Sequence, residues 1–423
     1  MEQRTTTDTA LAMDSSGRAA RDVLTEILRR GAQRMLAEAI ENEVAEYIAA
    51  HADARDAWGH RLVVRNGHTP ARDLQTGIGA VEIQRPRVND KRLDADGNRM
   101  RFTSVILPPY LRRTKAIEEL VPWLYLKGVS TGDFPEALQA LLGPSAEGLS
   151  ATNICRLKRV WEVEWKDWSR RDLAGGPYVY VWADGVYFNV RLGDEGSRKQ
   201  CILVLMGATA DGRKELIGIG EGYRESEQSW LELLRDLRAR GLTVDPKLAV
   251  ADGALGFWAA CRKLWPTTRE QRCWVHKTAN VLNKLPKSLQ PKAKAMLHEI
   301  WQAGTKANAE KAFELFITTF EAKYPQAVEC LGKDRDVLLT FYDFPAEHWI
   351  HLRTTNPIES TFATVRLRHR RTKGSGSRTA CLTMVFKLAL AAEKRWRRLN
   401  GGALLPEVIQ GVRFVDGIKA FAA

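Results

Sequence analysis

The stretch YVYVWADGVYF, residues 178–188, decides the fold of this chain. It is rich in aromatic and β-branched residues, which favour a strand that is buried on both faces. Asp184 lies inside this apolar run and has no basic residue beside it. The composition shifts at Gly175-Gly176-Pro177, just before the run, and the shift indicates a domain boundary there.

The segments after this run alternate between strand and helix. The predicted elements are, in chain order, strands at 199–208 and 215–223, a helix at 227–240, a strand at 248–251 and a further helix. An antiparallel set extended by a parallel crossover is the order expected of a ribonuclease-H-like α/β core. From residue 280 to about 341, apolar residues recur at helical spacing, which predicts an α-helical insertion in this core.

Basic residues outnumber acidic ones in the 423-residue chain. The 64 Lys and Arg against 51 Asp and Glu give a formal net charge of +13. Eleven of the basic residues lie between Arg366 and Arg398, where Glu393 is the single acidic residue. Net charge alone also fits a ribosomal or membrane-surface role, but this clustering makes nucleic acid the leading partner.

The regions around the core differ in character. Residues 19–50 have helical periodicity, 61–88 alternate like a small hairpin module, and 115–165 contain short helices compatible with a helix-turn-helix or with a plain helical subdomain. The predicted organisation is a disordered tail at 1–18, an N-terminal helix and hairpin module at 19–114, a mainly helical DNA-binding region at 115–174, the first part of the core at 175–279, the helical insertion at 280–345, the final core helix and basic segment at 346–400, and a C-terminal tail at 401–423.

The sequence lacks the features of secreted and membrane proteins. Six cysteines are scattered in apolar surroundings without a disulfide framework, so we expect reduced thiols. Residues 1–18 contain no apolar signal segment, and no apolar run approaches the ~18 residues of a membrane span. We therefore expect a soluble cytoplasmic protein.

Asp184 and Asp252 have positions that suit metal-assisted phosphoryl transfer. Mg²⁺ prefers carboxylate oxygens, and a two-metal site needs carboxylates on rigid elements whose ends converge. Asp252 ends the strand 248–251, and α/β sheets usually bind ligands at the carboxyl ends of parallel strands. A hairpin turn at Asp184-Gly185 and a plain strand-to-helix turn at Asp252-Gly253 are alternative interpretations.

Local sequence identifies a third carboxylate ligand less clearly than it identifies Asp184 and Asp252. Glu359 follows Asn356 and Pro357, a pattern typical of a capping box in which the Glu side chain bonds back to the Asn backbone. The first helical turn also favours an ionised carboxylate, which suits a metal ligand. Asp343 and Glu347 are competing candidates for this role.

Four segments together resemble the bacterial insertion-sequence transposases of the Mutator superfamily. The matching segments are, in chain order, WADG at 182–185, VADG at 250–253, Arg272 and Cys273 through His276, and RTTNPIE at 353–359. The first, second and fourth match the blocks that carry the Asp-Asp-Glu triad of that family. The third matches its Cys-x-x-His signature, and the long interval before the fourth looks like the family's helical insertion.

The resemblance implies a DNA transposase. Asp184, Asp252 and Glu359 would hold two Mg²⁺ or Mn²⁺ ions, and His276 and Cys273 would lie near the scissile phosphate. Water would free a 3′-hydroxyl, which would attack a second phosphodiester without ATP. The partners would be double-stranded DNA, as terminal inverted repeats and target, bound by a homodimer or larger assembly at the bacterial nucleoid.

The sequence is also compatible with other functions. Cys273 and His276 also suit half of a zinc site, or ordinary core positions. A transposase-derived protein that binds specific DNA without cutting it is one alternative to the enzyme. A ribonuclease-H-like nuclease that cleaves without joining strands is another.

Residues around the fourth segment are candidates for DNA contact. They are Arg353, Asn356, Arg366, Arg368, Arg370, Arg371 and Lys373. Their nearness to Glu359 favours contact with DNA phosphates over a merely solvated charge run. Residues 374–377 lack the ending of a phosphate-binding loop, so we expect no nucleotide ligand.

Overall fold

The chain divides into two compact units, Met1–Ile154 and Cys155–Ala423. In the computed structural model, the described residues are 15–115, isolated positions between 117 and 139, 151–190, 199–222, 224–253, 255–371 and 374–420, without the side chains of 15–22, 151–158 and 371. The predicted tail up to residue 14 and most of the predicted helix-turn-helix lie outside these residues. Each unit is described by itself below.

The first unit contains a long helix and two small antiparallel sheets. Its elements are α1 (Ser15–Ala49), β1 (Val63–His68), β2 (Arg72–Thr76), β3 (Gly79–Ile83) and β4 (Pro86–Asp90), with β1 paired to β4 and β2 to β3. A buried apolar cluster of this unit contains Ile40, Leu74, Val81, Ile83 and Leu107. The helix begins at Ser15 rather than at the predicted Ala19, and the predicted hairpin segment is two separate strand pairs.

The second unit is built on a five-stranded mixed sheet. Its strands are β5 (Tyr180–Asn189), β6 (Lys199–Ala208), β7 (Lys214–Gly222), β8 (Leu248–Ala251) and β9 (Arg269–Arg272), in the spatial order β7-β6-β5-β8-β9. β5, β6 and β7 are antiparallel, whereas β5, β8 and β9 are parallel. The first four predicted strands are confirmed. Asp184 lies inside β5, so the hairpin-turn interpretation of Asp184-Gly185 is wrong.

β9 was not predicted from the sequence, because its four residues, REQR, are all polar. Its Gln271 is nevertheless fully buried. The Gln271 amide donates to the Leu338 carbonyl at 3.1 Å and accepts from the Phe341 N–H at 2.8 Å. A buried amide that satisfies backbone groups thus takes the place of an apolar side chain in this strand.

Helices surround this sheet and fill the interval after β9. They are α2 (Ala151–Ser169), α3 (Glu227–Ala239), α4 (Leu255–Leu264), α5 (Trp274–Leu282), α6 (Gln290–Gln302), α7 (Lys306–Phe320), α8 (Pro325–Gly332), α9 (Arg335–Leu338), α10 (Trp349–Leu352), α11 (Asn356–Arg371), α12 (Arg378–Glu393) and α13 (Leu405–Gln410), with 3-10 helices at Thr340–Asp343, Ala346–His348 and Gly402–Leu404. The predicted helical character of 280–341 is confirmed. None of the helices described here or in the first unit is long and apolar enough to cross a membrane.

Alternation along β5 divides the core into two faces. Val181 and Ala183 pack in one cluster with the apolar side chains of α3 and α4. The Trp182 side chain lies on the opposite face, where its indole N–H donates to the His351 carbonyl at 2.9 Å. Asp184 is two residues after Trp182 and therefore shares this second face.

The segment predicted as a C-terminal tail is folded against the second unit. Leu405 and Val408 of α13 are buried. A short hairpin follows, with strands β10 (Phe414–Val415) and β11 (Ile418–Lys419). The Gly417 N–H at its turn donates to the Tyr342 carbonyl at 3.1 Å, which fastens the hairpin to the unit.

The close approach of α4 to the loop before α3 provides a test of this packing. A Cβ on Gly256 would clash with the Glu225 carbonyl oxygen and would lie 2.7 Å from the Glu227 nitrogen, so backbone would have to move. We predict that Gly256→Ala destabilises the protein by about 1–3 kcal/mol, the usual cost of overpacking. Differential scanning calorimetry would detect this as a lower Tm.

Gly304→Ala is the matched control, because a Cβ at that position has no heavy atom within 4 Å. Its effect should stay within about 0.5 kcal/mol, as for ordinary surface substitutions. Equal Tm values for the two variants would contradict the described contact between α4 and this loop.

Candidate active site

Asp184 and Asp252 lie side by side in neighbouring parallel strands. Ala183 of β5 pairs with Ala251 of β8, and each aspartate directly follows one member of this pair. Paired strands are about 4.8 Å apart. The sheet therefore holds the two aspartates next to each other where β8 ends.

Cys273 occupies the corresponding position in the third parallel strand. The end of β9 pairs with Ala251, and the Cys273 N–H donates to the Ala251 carbonyl at 2.8 Å. α5 begins directly after Cys273, so His276 lies in its first turn. We call Asp184, Asp252 and Cys273 the strand-end row.

Glu359 lies close to the strand-end row, although its helix, α11, follows the helical block in the sequence. The Thr355 N–H donates to Cys273 Sγ at 3.3 Å, and the Trp274 N–H donates to the Arg353 carbonyl at 2.9 Å. The Thr355 hydroxyl in turn donates to Glu359 Oε1 at 2.8 Å. These contacts hold the start of α11 against the start of α5.

The capping-box interpretation of Glu359 is wrong. The Glu359 carboxylate accepts from Thr355, whereas the Asn356 N–H donates to Thr354 Oγ1 at 3.4 Å. Glu359 Oε1 also lies 3.6 Å from His276 Nδ1. The carboxylate is thus turned towards α5 instead of closing the end of its own helix.

The competing carboxylates lie at the opposite end of the strands. Asp343 pairs at 2.5 Å with Arg269, the first residue of β9. Glu347 precedes His348, whose Nδ1 is 2.8 Å from the hydroxyl of Tyr180 at the start of β5. Neither carboxylate lies beside the strand-end row.

Burial and like charges raise the pKa of Asp184. The residue is 6% exposed, and burial, which disfavours the charged form, is the largest cause of a pKa of about 7. The negative charges of Asp252, Glu225 and Glu359 raise the pKa further, whereas His276 lowers it. The four carboxylates and the histidine therefore form one electrostatic cluster.

His276 is the cation of this cluster. Its pKa is raised to about 9, first by its side-chain hydrogen bond with Cys273 and further by the negative charges of Glu359 and Asp184, against the opposing effect of burial. The imidazole is therefore protonated at neutral pH. A protonated imidazole in this position can donate a hydrogen bond to a phosphate oxygen.

Glu225 is a member of the cluster that the sequence analysis missed. It lies between β7 and α3, and burial, followed by the charge of Asp252, raises its pKa to about 7. The neighbouring Ser226 caps α3 by accepting from the Ser229 N–H. Local sequence therefore indicates only a helix start here, because the groups that Glu225 approaches are distant along the chain.

Arg353 does not lie where the predicted contact with DNA requires. Its guanidinium carbon lies 4.8 Å from the ring centre of Phe341, 5.3 Å from that of Trp349 and 5.6 Å from that of Trp301. Burial among these rings lowers its pKa. A desolvated cation–π contact contributes about 2 kcal/mol, so Arg353 stabilises the joint between the helical block and the start of α11.

The other predicted DNA contacts differ in exposure. Arg368 is 1% exposed, so its guanidinium is enclosed by the unit, and the predicted phosphate contact does not fit this position. Arg366, Arg370 and Asn356 are exposed. Two members of the set lie outside the described part of the chain, namely the side chain of Arg371 and all of Lys373.

Arg366 and Arg370 lie on the face of α11 that carries Glu359. They follow Glu359 by about two and about three helical turns, or roughly 10 and 16 Å along the axis. Arg368 falls on the opposite face, which agrees with its burial. An exposed basic stripe therefore extends from the carboxylate cluster along α11.

Cys273, His276 and Glu359 also form a possible metal site of another type. Their sulfur, nitrogen and oxygen atoms all lie within 4.8 Å of one another. Zinc takes such mixed ligands, whereas Mg²⁺ takes oxygen ligands. Among the described residues, this trio is the group of His, Cys, Asp and Glu side chains whose ligand atoms lie close enough together to hold one metal ion.

Comparison with known proteins identifies the family. The family model described as transposase, Mutator family, matches residues 1–398. The chain belongs to this family. The resemblance to Mutator-superfamily insertion-sequence transposases is therefore confirmed.

Individual relatives of this Mutator-family chain are transposases by name. It is 54% identical over 301 residues to the transposase for insertion sequence element IS6120 of Mycolicibacterium smegmatis, across 71% of this chain and 92% of that protein. It is 51% identical over 292 residues to the transposase for IST2 of Acidithiobacillus ferrooxidans, across 67% and 95%. The transposase for ISRM5 of Rhizobium meliloti is 27% identical over 380 residues, across 90% of each chain.

The raised pKa of Asp184 predicts a stability penalty that depends on pH. Its pKa of about 7 in the folded protein exceeds the ordinary value of 3.8, so the fold loses stability as pH rises from about 4 to about 7. Asp184→Asn should remove this penalty, on the order of 2–4 kcal/mol at about pH 8. Calorimetry in EDTA should give a higher Tm for the variant at about pH 8 and no gain near pH 4.

Asp167→Asn on α2 is the control, because Asp167 is exposed and lies on another element. Its Tm should follow that of the unsubstituted protein at both pH values. If the Tm of Asp184→Asn at about pH 8 is at or below that of the unsubstituted protein, the destabilising burial of the ionised Asp184 carboxylate is contradicted.

Proposed function

We propose that this chain is a DNA transposase whose second unit cuts and joins phosphodiester bonds with divalent cations held by Asp184, Asp252 and Glu359. The main support is the convergence of three family-matching segments at one end of the sheet. Two of these segments follow paired strand residues, and the third is tied to the strand-end row through Thr355 and Cys273.

The proposed core is ribonuclease-H-like. Three antiparallel strands come first, a helix crosses over, and two strands parallel to the first extend the sheet on its other side. The helical block then separates β9 from α11. This arrangement supports a core in which the first two carboxylates come from strands and the third from a helix.

Asp184, Asp252 and Glu359 fit hard divalent cations such as Mg²⁺ or Mn²⁺. They supply carboxylate oxygens from the ends of regular elements, as these ions require. Asp184 is buried among like charges, and a cation would relieve their repulsion. When bound, two such ions would activate the attacking oxygen and stabilise the leaving oxygen of a phosphodiester.

Neighbouring side chains would orient the site and the substrate. Arg272 Nη1 and Trp258 Nε1 donate to the Asp252 carbonyl at 2.7 and 2.9 Å, which holds the Asp252 backbone rigid. Protonated His276 would donate to a non-bridging phosphate oxygen. Arg366 and Arg370 would bind the DNA backbone beyond the scissile bond.

The proposed reaction has two steps at this one site. Water first attacks a phosphodiester at an element end and releases a 3′-hydroxyl. That hydroxyl then attacks a phosphodiester of the target and displaces a new 3′-hydroxyl. Because two ends must be joined to one target, we expect a homodimer or larger assembly on DNA.

Loss of one carboxylate should abolish chemistry without abolishing DNA binding. We predict that Asp184→Asn, Asp252→Asn and Glu359→Gln each lower cleavage and strand transfer by about 10²–10³-fold or more, because each removes charge that stabilises the transition state. A gel assay with labelled DNA carrying the element ends, in Mg²⁺ or Mn²⁺, measures cleaved and joined products separately.

Asp343→Asn is the matched control, because this carboxylate lies at the other end of the strands, paired with Arg269. It should keep both activities. Full cleavage by any triad variant would remove that residue from the proposed site. Cleavage without any joined product in the unsubstituted protein would favour a nuclease, and binding without cleavage would favour a DNA-binding protein.

The basic stripe on α11 should contribute through phosphate contacts. We predict that Arg366→Gln and Arg370→Gln each reduce the salt dependence of DNA affinity, with the slope of log K against log salt falling by about 1. Fluorescence anisotropy with a short duplex across a salt series measures this slope. Arg235→Gln is the control, because Arg235 is exposed on α3, which packs on the other face of the sheet. If the slope of log K against log salt is the same for Arg366→Gln, Arg370→Gln and Arg235→Gln, the proposed DNA contact along α11 is contradicted.

A further inference from the structure

The Glu225 carboxyl group lies in the space that a side chain at Gly185 would occupy. A Cβ on Gly185 would stand 2.5 Å from Glu225 Cδ and 2.7 Å from Glu225 Oε1. Gly185 directly follows Asp184 in β5. The glycine of the Asp-Gly pair is therefore needed for the approach of Glu225, and not for a turn.

The backbone around Glu225 is held tightly in this position. Its N–H donates to the Tyr187 hydroxyl at 3.3 Å, and its carbonyl packs against Gly256 of α4 so closely that no side chain fits there. The preceding Arg224 has φ of 138°, a conformation that is costly for a residue with a side chain. Strain of this kind persists only where surrounding structure imposes it.

The Glu225 carboxylate has acidic neighbours but no donor among the described residues. Its negative charge raises the pKa of Asp184, whereas its own pKa is raised by burial and by the charge of Asp252 and lowered by that of His276. No hydrogen bond or ion pair to its side chain is found within the part of the chain that the structure describes. His276 brings one positive charge to four carboxylates. The remaining negative charge around the half-buried Glu225 is unfavourable unless a further cation balances it.

We propose that Glu225 is a fourth carboxylate ligand of the divalent-cation site formed by Asp184, Asp252 and Glu359. This inference rests on the proposed function, since it assigns a further ligand to the same site. Four carboxylates carry the charge that two divalent cations neutralise. Glu225 ligates a cation directly or through a bound water, and Gly185 exists to admit it.

The test is a titration of the full chain with Mn²⁺, without DNA, by isothermal titration calorimetry. Glu225→Gln keeps the size of the side chain and removes its charge, so it should weaken binding of at least one ion by about 10–100-fold. Glu227→Gln is the matched control, two residues further on, where the carboxylate pairs with Lys263 at 2.5 Å. It should bind Mn²⁺ within about twofold of the unsubstituted protein.

Glu225→Asp and Asp184→Asn separate a failure of the Glu225 role from a failure of the whole metal site. Glu225→Asp keeps the charge but withdraws the carboxylate, and should also weaken Mn²⁺ binding. If Asp184→Asn loses Mn²⁺ while both Glu225 variants bind as the unsubstituted protein does, the role of Glu225 is refuted and the proposed function stands. If Asp184→Asn and Glu225→Gln both leave Mn²⁺ binding unchanged, the proposed metal site itself is refuted.

Discussion

The contact between the start of α5 and the start of α11 is the constraint that brings Glu359 to the strand-end row, and the complete carboxylate cluster depends on it. Thr355 donates to Cys273 Sγ across a separation of 82 residues, and the Trp274 N–H donates to the Arg353 carbonyl beside it. Closing a flexible segment of that length would cost on the order of 4 kcal/mol. The helical block reduces this cost because it is itself a folded spacer between the two ends, and Arg353 is held against that block by three aromatic rings.

The sheet positions two of the three carboxylates, and the contact between α5 and α11 positions the third. Adjacent strands set the separation of Asp184 and Asp252 through the backbone ladder, so these two positions follow directly from strand register. Glu359 depends on side-chain contacts with Thr355 and His276 instead. The result is a carboxylate cluster with one cationic histidine at its edge and a basic stripe on the same helix face, which suits an anionic polymer that must approach the carboxylates.

Much of this fold follows from local pattern, and the exceptions have physical causes. Runs rich in apolar residues predicted the first four strands of the sheet, because strands buried on both faces leave a nearly continuous apolar signal. Apolar residues at helical spacing predicted the helical block. β9 escaped prediction because Gln271 is buried through hydrogen bonds rather than through apolar surface. Glu225 and the aromatic enclosure of Arg353 depend on contacts between distant segments. Arg368 was assigned to DNA contact from its charge and its nearness to Glu359, and neither indicates which helix face is buried.

The central claim is that Asp184, Asp252 and Glu359 hold the divalent cations that act on DNA. Anomalous diffraction from crystals of the protein with element-end DNA and Mn²⁺ tests it most directly. We expect manganese peaks at about 2.0–2.2 Å from carboxylate oxygens of Asp184, Asp252 and Glu359, next to a DNA phosphate. Metal bound solely by Cys273, His276 and Glu359, with none at the two aspartates, would contradict the claim and assign the site to the mixed-ligand trio.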